Sequence, residues 1–501
     1  MSKYRRSRFE VNATVNFQSL TEDEREEIYA TALEVLERTG VKVFSEEARE
    51  IFKEAGCWQE GDELIKIPIG LSQWAVDTAP SKITLYDQEG NASLDLHDNK
   101  TYFGPGPTNT YHRDPYTNER RRPVVQDTRN VAKVCDALDN IDYVMDLGTP
   151  SDVTENLADV HAFKAMLENT NKPIVHWGFD IDQYEDMIEM ASVVAGSLEE
   201  LQKKPFFFLY SEPTSPLLHG REAIEKVLLA ARKRIPIVYT PCVISGATTP
   251  ATLAGTLVQG IAESITGITL SQLANRGTPI IMGGVYGIMD MNSTVYSYGS
   301  PEFNCLQAGV AQVAHHMGIP LFGTAGCTDS HTIDEQAAAE AAMNILTAAQ
   351  SGANLVHDCG YMSSGNMGCL DQLVMDNEII GMVRRFMQGI EVTDETLAVD
   401  VVDEVGIGGH FLGEDHTREH FKDQTWFPGL MNRMRFDGWR TKANSSRMSE
   451  RIKDQLHDIL ENYDAPSLAE ENQEKIDEIM ENAEEREKKR AEEKKNSKGD
   501  K

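Results

Sequence analysis

Aromatic and acidic side chains recur at the ends of short apolar runs in this sequence. Trp177 and Tyr210 end two of these runs, and Glu212 and Asp358 lie at or just beyond the ends of two. Aromatic faces attract small organic cations, whereas Arg113 is the clearest basic residue nearby, so a cationic ligand fits better than a phosphorylated one. The candidate substrate-binding residues are Phe103, Arg113, His176, Trp177, Tyr210, Glu212, Tyr239, Tyr286, Asp329, His331, His357, Asp358 and Tyr361. The sequence singles out no catalytic residue among them.

Eight apolar runs must position these side chains. The runs start at residues 101, 142, 173, 206, 236, 279, 320 and 354, and a helical pattern follows each one. Such runs are typical of parallel strands that are buried on both faces. The count of eight predicts a (β/α)₈ TIM barrel, with an open doubly wound sheet as the alternative. Barrel enzymes carry their chemistry at the C-terminal ends of the strands, although bulky residues there can also serve only as packing.

Extensions flank the predicted barrel, which we place at residues 98–390. In the N-terminal extension, 1–97, Thr21-Glu-Asp-Glu predicts a capped helix and Ser45 a second one, followed by short strands near 64 and 82. Residues 391–480 form a predicted C-terminal helical region. Residues 481–501 are mostly Glu, Lys and Arg, which predicts a frayed charged tail.

Composition restricts the class of protein. The 501 residues are 40% hydrophobic and 26% charged, which is a globular balance, and the net charge of −32 disfavours nucleic acid as a partner. The first ten residues lead into no apolar run, and no stretch is long enough for a membrane span, so neither a signal peptide nor a membrane association is expected. Seven scattered cysteines indicate reduced thiols and a cytoplasmic protein.

Two further motifs have alternative interpretations. Gly104-Pro-Gly-Pro looks like a phosphate loop, but its prolines remove the backbone donors that such a loop needs. His357-x-Cys359, with Cys369 and Cys327, is one arrangement that could bind zinc and activate a thiol. Because a compact Cys-x-x-Cys is missing, buried structural cysteines are the default interpretation, and no bound metal is expected.

Several long segments resemble the trimethylamine methyltransferase family. They are Gly104-Pro-Gly-Pro-Thr, Asp114-Pro-Tyr-Thr-Asn-Glu-Arg-Arg, Asp142-Tyr-Val-Met-Asp, Ser297-Tyr-Gly-Ser-Pro-Glu, Gly323-Thr-Ala-Gly-Cys-Thr-Asp-Ser-His and Val374-Met-Asp-Asn-Glu-Ile-Ile-Gly-Met. The resemblance runs from about residue 20 to about residue 460. It implies a (β/α)₈ protein that moves a methyl group from a methylated amine to the corrinoid (cobalamin) cobalt of a separate corrinoid protein, in one-carbon metabolism of the methanogenic or acetogenic kind.

The resemblance also bears on the substrate. The trimethylamine branch carries pyrrolysine, which we place near His331, whereas this sequence has only standard residues. The implied branch therefore resembles glycine betaine methyltransferase. A quaternary amine leaves as a neutral tertiary amine without a proton donor, and an aromatic cage suits it. Glycine betaine is the first candidate, followed by proline betaine, carnitine and γ-butyrobetaine. Arg113, His331 or His357 could hold the carboxylate of a betaine.

Two other functions stay open at this stage. One is a zinc-dependent thiol methyltransferase that uses His357, Cys359 and Cys369. The other is a barrel that binds quaternary amines without turning them over. A homo-oligomer is compatible with any of these functions.

Overall fold

A closed barrel of eight parallel strands forms the centre of the protein in the computed structural model, which describes residues 15–499. Seven strands share one ladder, and the segment 142–147 closes it between the first and third strands. There the Asp142 N–H donates to the Phe103 carbonyl at 2.7 Å, and Val144 bridges to Ile174. If the closing segment 142–147 is counted as the second strand, the barrel strands in chain order are Tyr102–Pro105, 142–147, Ile174–His176, Phe207–Ser211, Ile237–Tyr239, Ile280–Gly283, Leu321–Thr324 and Leu355–Cys359. The predicted barrel is confirmed.

A helix follows every barrel strand and covers the outside of the barrel. The eight helices are Val125–Ala137, Ala158–Leu167, Ile181–Ala195, Arg221–Lys233, Leu253–Ala274, Pro301–Met317, Glu335–Ser351 and Leu370–Met387. Two short helices, Glu155–Leu157 and Leu198–Lys203, lie between them. Leu253–Ala274 is the one helix of the described residues that is apolar and long enough to cross a membrane, and it is mostly buried within the protein.

The barrel strands send alternate side chains inward and outward, as the pleat of a strand requires. The inward set forms its own cluster, consisting of Tyr143, Met145, Val175, Phe208, Tyr210, Val238, Ile281, Phe322 and Leu355. The outward set, such as Val144 and Leu209, joins the larger core between the strands and the helices. This division determines which strand residues can reach a ligand inside the barrel.

The N-terminal extension packs on the barrel wall. Its helix Glu22–Arg38 has the predicted capping box, in which Thr21 and Glu24 bond reciprocally. Its other helices and strands are Val41–Val43, Glu46–Glu54, Trp58–Glu60, Leu64–Lys66 and Ile69–Thr78. Val41–Val43 pairs in parallel with Leu218–His219, which joins the extension to the loop after the fourth barrel strand. The first ten residues, on which the signal-peptide prediction rests, lie outside the described residues.

A β-hairpin closes the N-terminal end of the barrel. Its strands, Ile83–Tyr86 and Ala92–Leu96, contribute Leu85 and Leu94 to the inward cluster of barrel residues. The Tyr86 N–H also donates to the carbonyl of Pro205, just before the fourth barrel strand. The interior of the barrel is therefore covered at this end, which leaves the C-terminal end as its mouth.

The C-terminal region consists of helices that start after the eighth barrel unit. They are Asp394–Leu397, Val399–Val405, Asp415–Gln424, Phe436–Lys442, Met448–Asn462 and Glu470–Gly499. We predicted a frayed tail from residue 481, but this stretch continues the last helix. The reason is tertiary packing: Ile476 and Ala483 are buried, and Arg486 forms an ion pair with Asp186 on a barrel helix.

Candidate active site

Loops that carry short strands surround the C-terminal mouth of the barrel. Cys242–Ser245 runs parallel to Val285–Asp290, which turns back antiparallel as Val295–Ser297. On another side, Met367–Gly368 lies between Tyr361–Met362 and Tyr111–Arg113, and the latter pairs with Arg120–Arg121. The hydrogen bonds between these strands hold the loop residues in place around the mouth.

Phe322 forms the floor of the mouth. It points inward from the seventh barrel strand and is fully buried. The ring of His357 stacks on it with centroids 4.3 Å apart, and Tyr210 meets it edge-on at 6.0 Å. The His357 Nε2 lies 3.2 Å from the Thr324 hydroxyl. The floor is thus an aromatic stack that includes one imidazole ring.

A bulge at the end of the eighth strand turns Asp358 into the mouth. The pairing with the first strand shifts register between Val356 and Cys359, and Asp358 has a φ of 75°. Asp358 Oδ1 lies 2.6 Å from His357 Nδ1. A Cβ on Gly106 would lie 2.1 Å from the same carboxylate oxygen, so only glycine fits opposite it. Left-handed backbone at a residue other than glycine is costly, and such strain concentrates at functional sites.

Four tyrosines surround Asp358. Burial is the largest reason why the pKa values of Tyr210, Tyr296, Tyr298 and Tyr361 lie well above the usual value, and the charge of Asp358 adds to each shift. Tyr298 meets Tyr296 edge-on with centroids 4.7 Å apart, and it meets Tyr361 at 6.3 Å. The phenols therefore stay neutral, and they line the mouth with aromatic surface.

Asp146 holds the indole of Trp177. The Trp177 Nε1–H donates to Asp146 Oδ2 at 3.2 Å, and the Thr108 N–H donates to Oδ1 at 3.2 Å. Burial raises the pKa of Asp146 to about 6, although both hydrogen bonds oppose the shift. Trp177 also packs edge-on against Phe179, with centroids 4.8 Å apart. The orientation of the Trp177 ring is therefore fixed from two sides.

Glu212 and Cys242 expose part of their surface at the mouth. The surrounding protein nevertheless changes the pKa values of both side chains. The Tyr210 hydroxyl donates to Glu212 Oε2 at 3.0 Å, and burial raises the pKa of Glu212. Burial, with the charges of Glu212 and Asp358, raises the pKa of Cys242 to about 12. The thiol is therefore neutral and a poor nucleophile.

Three carboxylates lie at the mouth, those of Asp146, Glu212 and Asp358. Lys226 and His357 lie close enough to Glu212 to oppose the rise of its pKa. Arg113, which we predicted here, lies instead 3.5 Å from the carboxylate of Asp371 and 3.8 Å from the sulfur of Cys369. The site is therefore acidic and aromatic, a combination that attracts an organic cation.

Besides Arg113, four more predicted residues lie outside the mouth: Phe103, His176, Tyr239 and Tyr286. Phe103, His176 and Tyr239 have the outward parity of their strands, so they face the helices. The His176 Nε2 lies 2.8 Å from the Asp159 carbonyl, and the Tyr239 hydroxyl lies 2.6 Å from His219 Nδ1. Tyr286 lies beyond the sixth strand, buried against Gly260 of Leu253–Ala274. We remove these four from the candidate set.

Asp329 and His331 occupy the loop after the seventh strand. Asp329 accepts hydrogen bonds from the backbone N–H of Tyr298 at 2.9 Å and from the Ser297 hydroxyl at 2.6 Å, so it positions a tyrosine of the mouth. His331 is exposed, and its Nδ1 lies 2.8 Å from the Ser363 hydroxyl. Asp329 therefore contributes to the mouth by positioning Tyr298, whereas His331 lies at the rim of the mouth.

The sequence analysis did not include Asp146, Cys242, Tyr296 and Tyr298 in the candidate set. Asp146 ends the second barrel strand, so its position in the sequence was a usable signal. Tyr296 and Tyr298 come from a long loop, in which their spacing of two residues was the only hint. Cys242 reaches the mouth because Cys242–Ser245 pairs with Val285–Asp290, and no pattern in the sequence indicates this pairing.

The predicted zinc ligands point to different partners. His357 is bound to Asp358, Cys359 Sγ lies 3.7 Å from the Ala325 carbonyl, and Cys369 is beside Arg113. Burial raises the pKa of Cys359 well above its usual value and that of Cys369 to about 11, so both thiols are neutral in this structure. Over residues 15–499, no cluster of three His, Cys, Asp or Glu side chains is arranged to hold a metal ion. The residues do not fit zinc.

Comparison with known proteins places the chain in one family. The family model described as trimethylamine methyltransferase (MTTB) matches residues 2–488. The chain is 36% identical over 449 residues to a trimethylamine methyltransferase of Desulfitobacterium hafniense, a match that covers 89% of this chain and 90% of the relative. It is 29% identical over 455 residues to a glycine betaine methyltransferase of the same species, covering 90% and 93%.

A solved structure shows the same fold. The monomethylamine methyltransferase of Methanosarcina barkeri superposes with a TM-score of 0.50 at 12% identity, covering 90% of this chain and 89% of that chain. Sequence and fold therefore agree over nearly the whole length. The chain belongs to the trimethylamine methyltransferase family.

Proposed function

We propose that this protein transfers a methyl group from a quaternary amine to the Co(I) corrinoid of a separate corrinoid protein. Glycine betaine is the first candidate substrate, and dimethylglycine would be its product. The observation that carries the proposal is the mouth of the barrel, where Trp177 and four tyrosines lie close to three carboxylates. One relative of similar length is named a glycine betaine methyltransferase, which supports the choice.

The residues of the mouth suit a cation that has no N–H group. Each well-placed aromatic face contributes about 0.5–2 kcal/mol to binding such an ion. The carboxylates of Glu212 and Asp358 add attraction in a site that is partly shielded from water. Their role is to bind and orient the ammonium group so that one methyl group faces the opening.

The methyl acceptor supplies the nucleophile. An electron pair of Co(I) forms the new bond to the methyl carbon, and the pair of the broken C–N bond stays on nitrogen. Because the leaving amine is neutral, the protein needs neither a general acid nor a covalent adduct. The neutral thiol of Cys242 agrees with a site that works by positioning and electrostatics alone.

The mouth is accessible to a partner that approaches from outside. It lies at the barrel end opposite the hairpin, and Phe179, beside Trp177, is 42% exposed. This arrangement fits a corrinoid delivered by its own protein, in the cytoplasm, rather than one that is bound permanently inside the barrel.

The carboxylate of a betaine has two candidate partners left. His357 lies on the floor of the mouth and His331 at its rim, whereas Arg113 is engaged elsewhere. The three carboxylates of the mouth favour a second candidate substrate, a quaternary amine without a carboxylate, such as choline. Betaines and choline share the quaternary ammonium group and differ in the group at the other end of the molecule, a carboxylate in the betaines and a hydroxyl in choline.

The test follows the visible spectrum of a Co(I) corrinoid protein mixed with the purified chain. Glycine betaine, proline betaine, carnitine, γ-butyrobetaine, choline and trimethylamine are offered in turn, with a sample that lacks the chain as the control. We expect conversion of Co(I) to the methylated form with a quaternary amine but not with trimethylamine. No conversion with any quaternary amine would refute the proposal. Tight binding measured by calorimetry without conversion would favour a barrel that only binds the amine.

A further inference from the structure

A lysine is buried behind the mouth of the barrel. Lys226 lies on the helix Arg221–Lys233 and is only 9% exposed. Its Nζ donates a hydrogen bond to the Gly178 carbonyl and lies 5.2 Å from the centroid of the Tyr184 ring. In the part of the chain that the structure describes, Lys226 forms no ion pair with a carboxylate. A buried lysine without a direct ion pair costs stability, so packing alone does not explain this residue.

The hydrogen bond of Lys226 ends on the backbone between two aromatic residues of the mouth. Gly178 is the residue between Trp177 and Phe179. The Phe179 N–H donates to Asp159 Oδ2 at 2.8 Å. A Cβ on Gly178 would lie 3.1 Å from the same carboxylate oxygen, so the backbone passes closely over the buried side chains. Lys226 and Asp159 therefore hold the segment from which the indole of Trp177 projects.

Tyr184 connects this buried group to a second aromatic residue of the mouth. The Tyr184 hydroxyl donates to the carbonyl of Tyr210. The Tyr210 hydroxyl in turn donates to Glu212 Oε2 at 3.0 Å. Because the ammonium group of Lys226 lies over the Tyr184 ring, it is placed between the strand end that carries Trp177 and the strand end that leads to Glu212.

The surroundings of Lys226 are acidic. The carboxylates whose charges favour its ammonium form are Asp159, Asp180, Glu212 and Glu222, although burial lowers its pKa. The titratable groups that face Glu212 are Tyr210, Lys226, Cys242, His357 and Asp358. Among the charges around Glu212, that of Lys226 is the strongest that opposes the rise of the Glu212 pKa on burial. Lys226 thus acts on a carboxylate as well as on an aromatic residue.

We propose that Lys226 is a positioning residue of the mouth. Through the Gly178 carbonyl it holds the backbone of Trp177, and its charge keeps the carboxylate of Glu212 ionised. An aromatic face and a carboxylate that are to bind one cation must be held in place together, and a single buried lysine does this for both. The inference rests on the proposed function for what the mouth binds. The coupling of Lys226 to Trp177 and Glu212, however, can be measured without substrate.

A double-mutant cycle on the substrate-free protein tests the electrostatic role. Glu212→Gln removes a carboxylate that is costly to ionise, so it should raise the melting temperature at pH 7.5. Without the charge of Lys226 the ionised carboxylate costs more, so in a Lys226→Met background the same substitution should add about 1–2 °C to that rise. Lys233→Met, which removes a charge from the last turn of the same helix, is the matched control and should leave the rise unchanged. Equal rises in the wild-type and Lys226→Met backgrounds would refute the electrostatic role.

The NMR signal of the Trp177 indole N–H tests the positional role. The signal is identified by its loss in Trp177→Phe. Lys226→Met should shift or broaden it, whereas Lys233→Met should not. Lys226→Gln keeps an N–H donor without the charge, so it should move the signal less while it still enlarges the rise in melting temperature. It also replaces Lys226→Met in both tests if that variant does not fold. An indole signal that is the same in wild-type protein and in Lys226→Met would refute the positional role.

The pH dependence of substrate binding separates this inference from the proposed function. If the ammonium group binds to ionised Glu212, affinity rises with pH, and in Lys226→Met this rise should move to higher pH by about one unit. A shift of about this size is expected for a unit charge within about 10 Å in a partly buried site. Wild-type protein that binds no quaternary amine would refute the proposed function, while the two substrate-free tests still decide the role of Lys226. Binding with the same pH profile in wild-type protein and in Lys226→Met would overturn the inference.

Discussion

Replacement of Glu212 by Gln should weaken substrate binding and stabilise the protein at the same time. Glu212 lies at the mouth, and burial raises its pKa because the ionised form is poorly solvated there. The variant keeps the shape and can still accept the hydrogen bond of 3.0 Å from Tyr210. It removes only the charge that, under the proposed function, attracts the ammonium group.

The size of the binding effect follows from Coulomb's law. A cation against the ring of Tyr210 would lie about 6 Å from the Glu212 carboxylate, and at an effective dielectric constant of about 20 the attraction is about 3 kcal/mol. This is an upper limit of about 100-fold in affinity, so we expect KM for the quaternary amine to rise about 10- to 100-fold. The exposed Glu222→Gln serves as the matched control and should leave KM unchanged.

The sign of the pH dependence is also determined. Because the pKa of Glu212 is raised in the folded protein, the substrate cation should bind more tightly as pH rises through that pKa, and Glu212→Gln should reduce this rise. A raised carboxyl pKa costs stability above the pKa, so without substrate the variant should melt at a higher temperature at pH 7.5. The measurements are initial rates of corrinoid methylation against pH and a thermal scan. An unchanged KM together with a lower melting temperature would refute the reasoning.

Three further substitutions separate binding, positioning and stability. Trp177→Leu removes an aromatic face of the mouth and should raise KM about 2- to 30-fold in the same rate assay, with Trp177→Phe losing less. Gly106→Ala places a Cβ 2.1 Å from Asp358 Oδ1, so it should lower kcat/KM on the order of 10- to 100-fold through displacement of that carboxylate, and unchanged kinetics would contradict this. Leu85→Ala, in the hairpin at the closed end, should destabilise the fold by about 2–5 kcal/mol in urea titrations while KM stays constant.

The barrel was predictable from the sequence because its signal is periodic and repeated. Each strand is a short apolar run, and each run must be buried on both faces between the barrel interior and the helices, which excludes polar residues from most positions. The tail from residue 481 was not predictable in the same way. Its composition is that of a solvated helix, and only tertiary contacts, such as the burial of Ala483 and the ion pair between Arg486 and Asp186, show that it docks.

The candidate site was predicted less completely, for two physical reasons. The first is the alternation of side chains along a strand. The candidate residues were chosen because they lie at strand ends, without asking which of them point into the barrel and which point towards the helices. His176 and Tyr239 point outward, whereas their neighbours Trp177 and Thr240 have the inward parity. The second is that Tyr296 and Tyr298 come from a loop whose path depends on pairing between short strands. No local pattern in the sequence encodes that pairing.

The two ends of the barrel have different roles. This difference explains why the strained backbone of Asp358 lies at the mouth and not at the hairpin end. At the hairpin end, Leu85 and Leu94 cover the barrel interior with ordinary apolar packing. At the mouth, Asp358 adopts a left-handed conformation and leaves room for nothing larger than glycine at residue 106. A fold gains nothing from such a residue if stability is the only requirement.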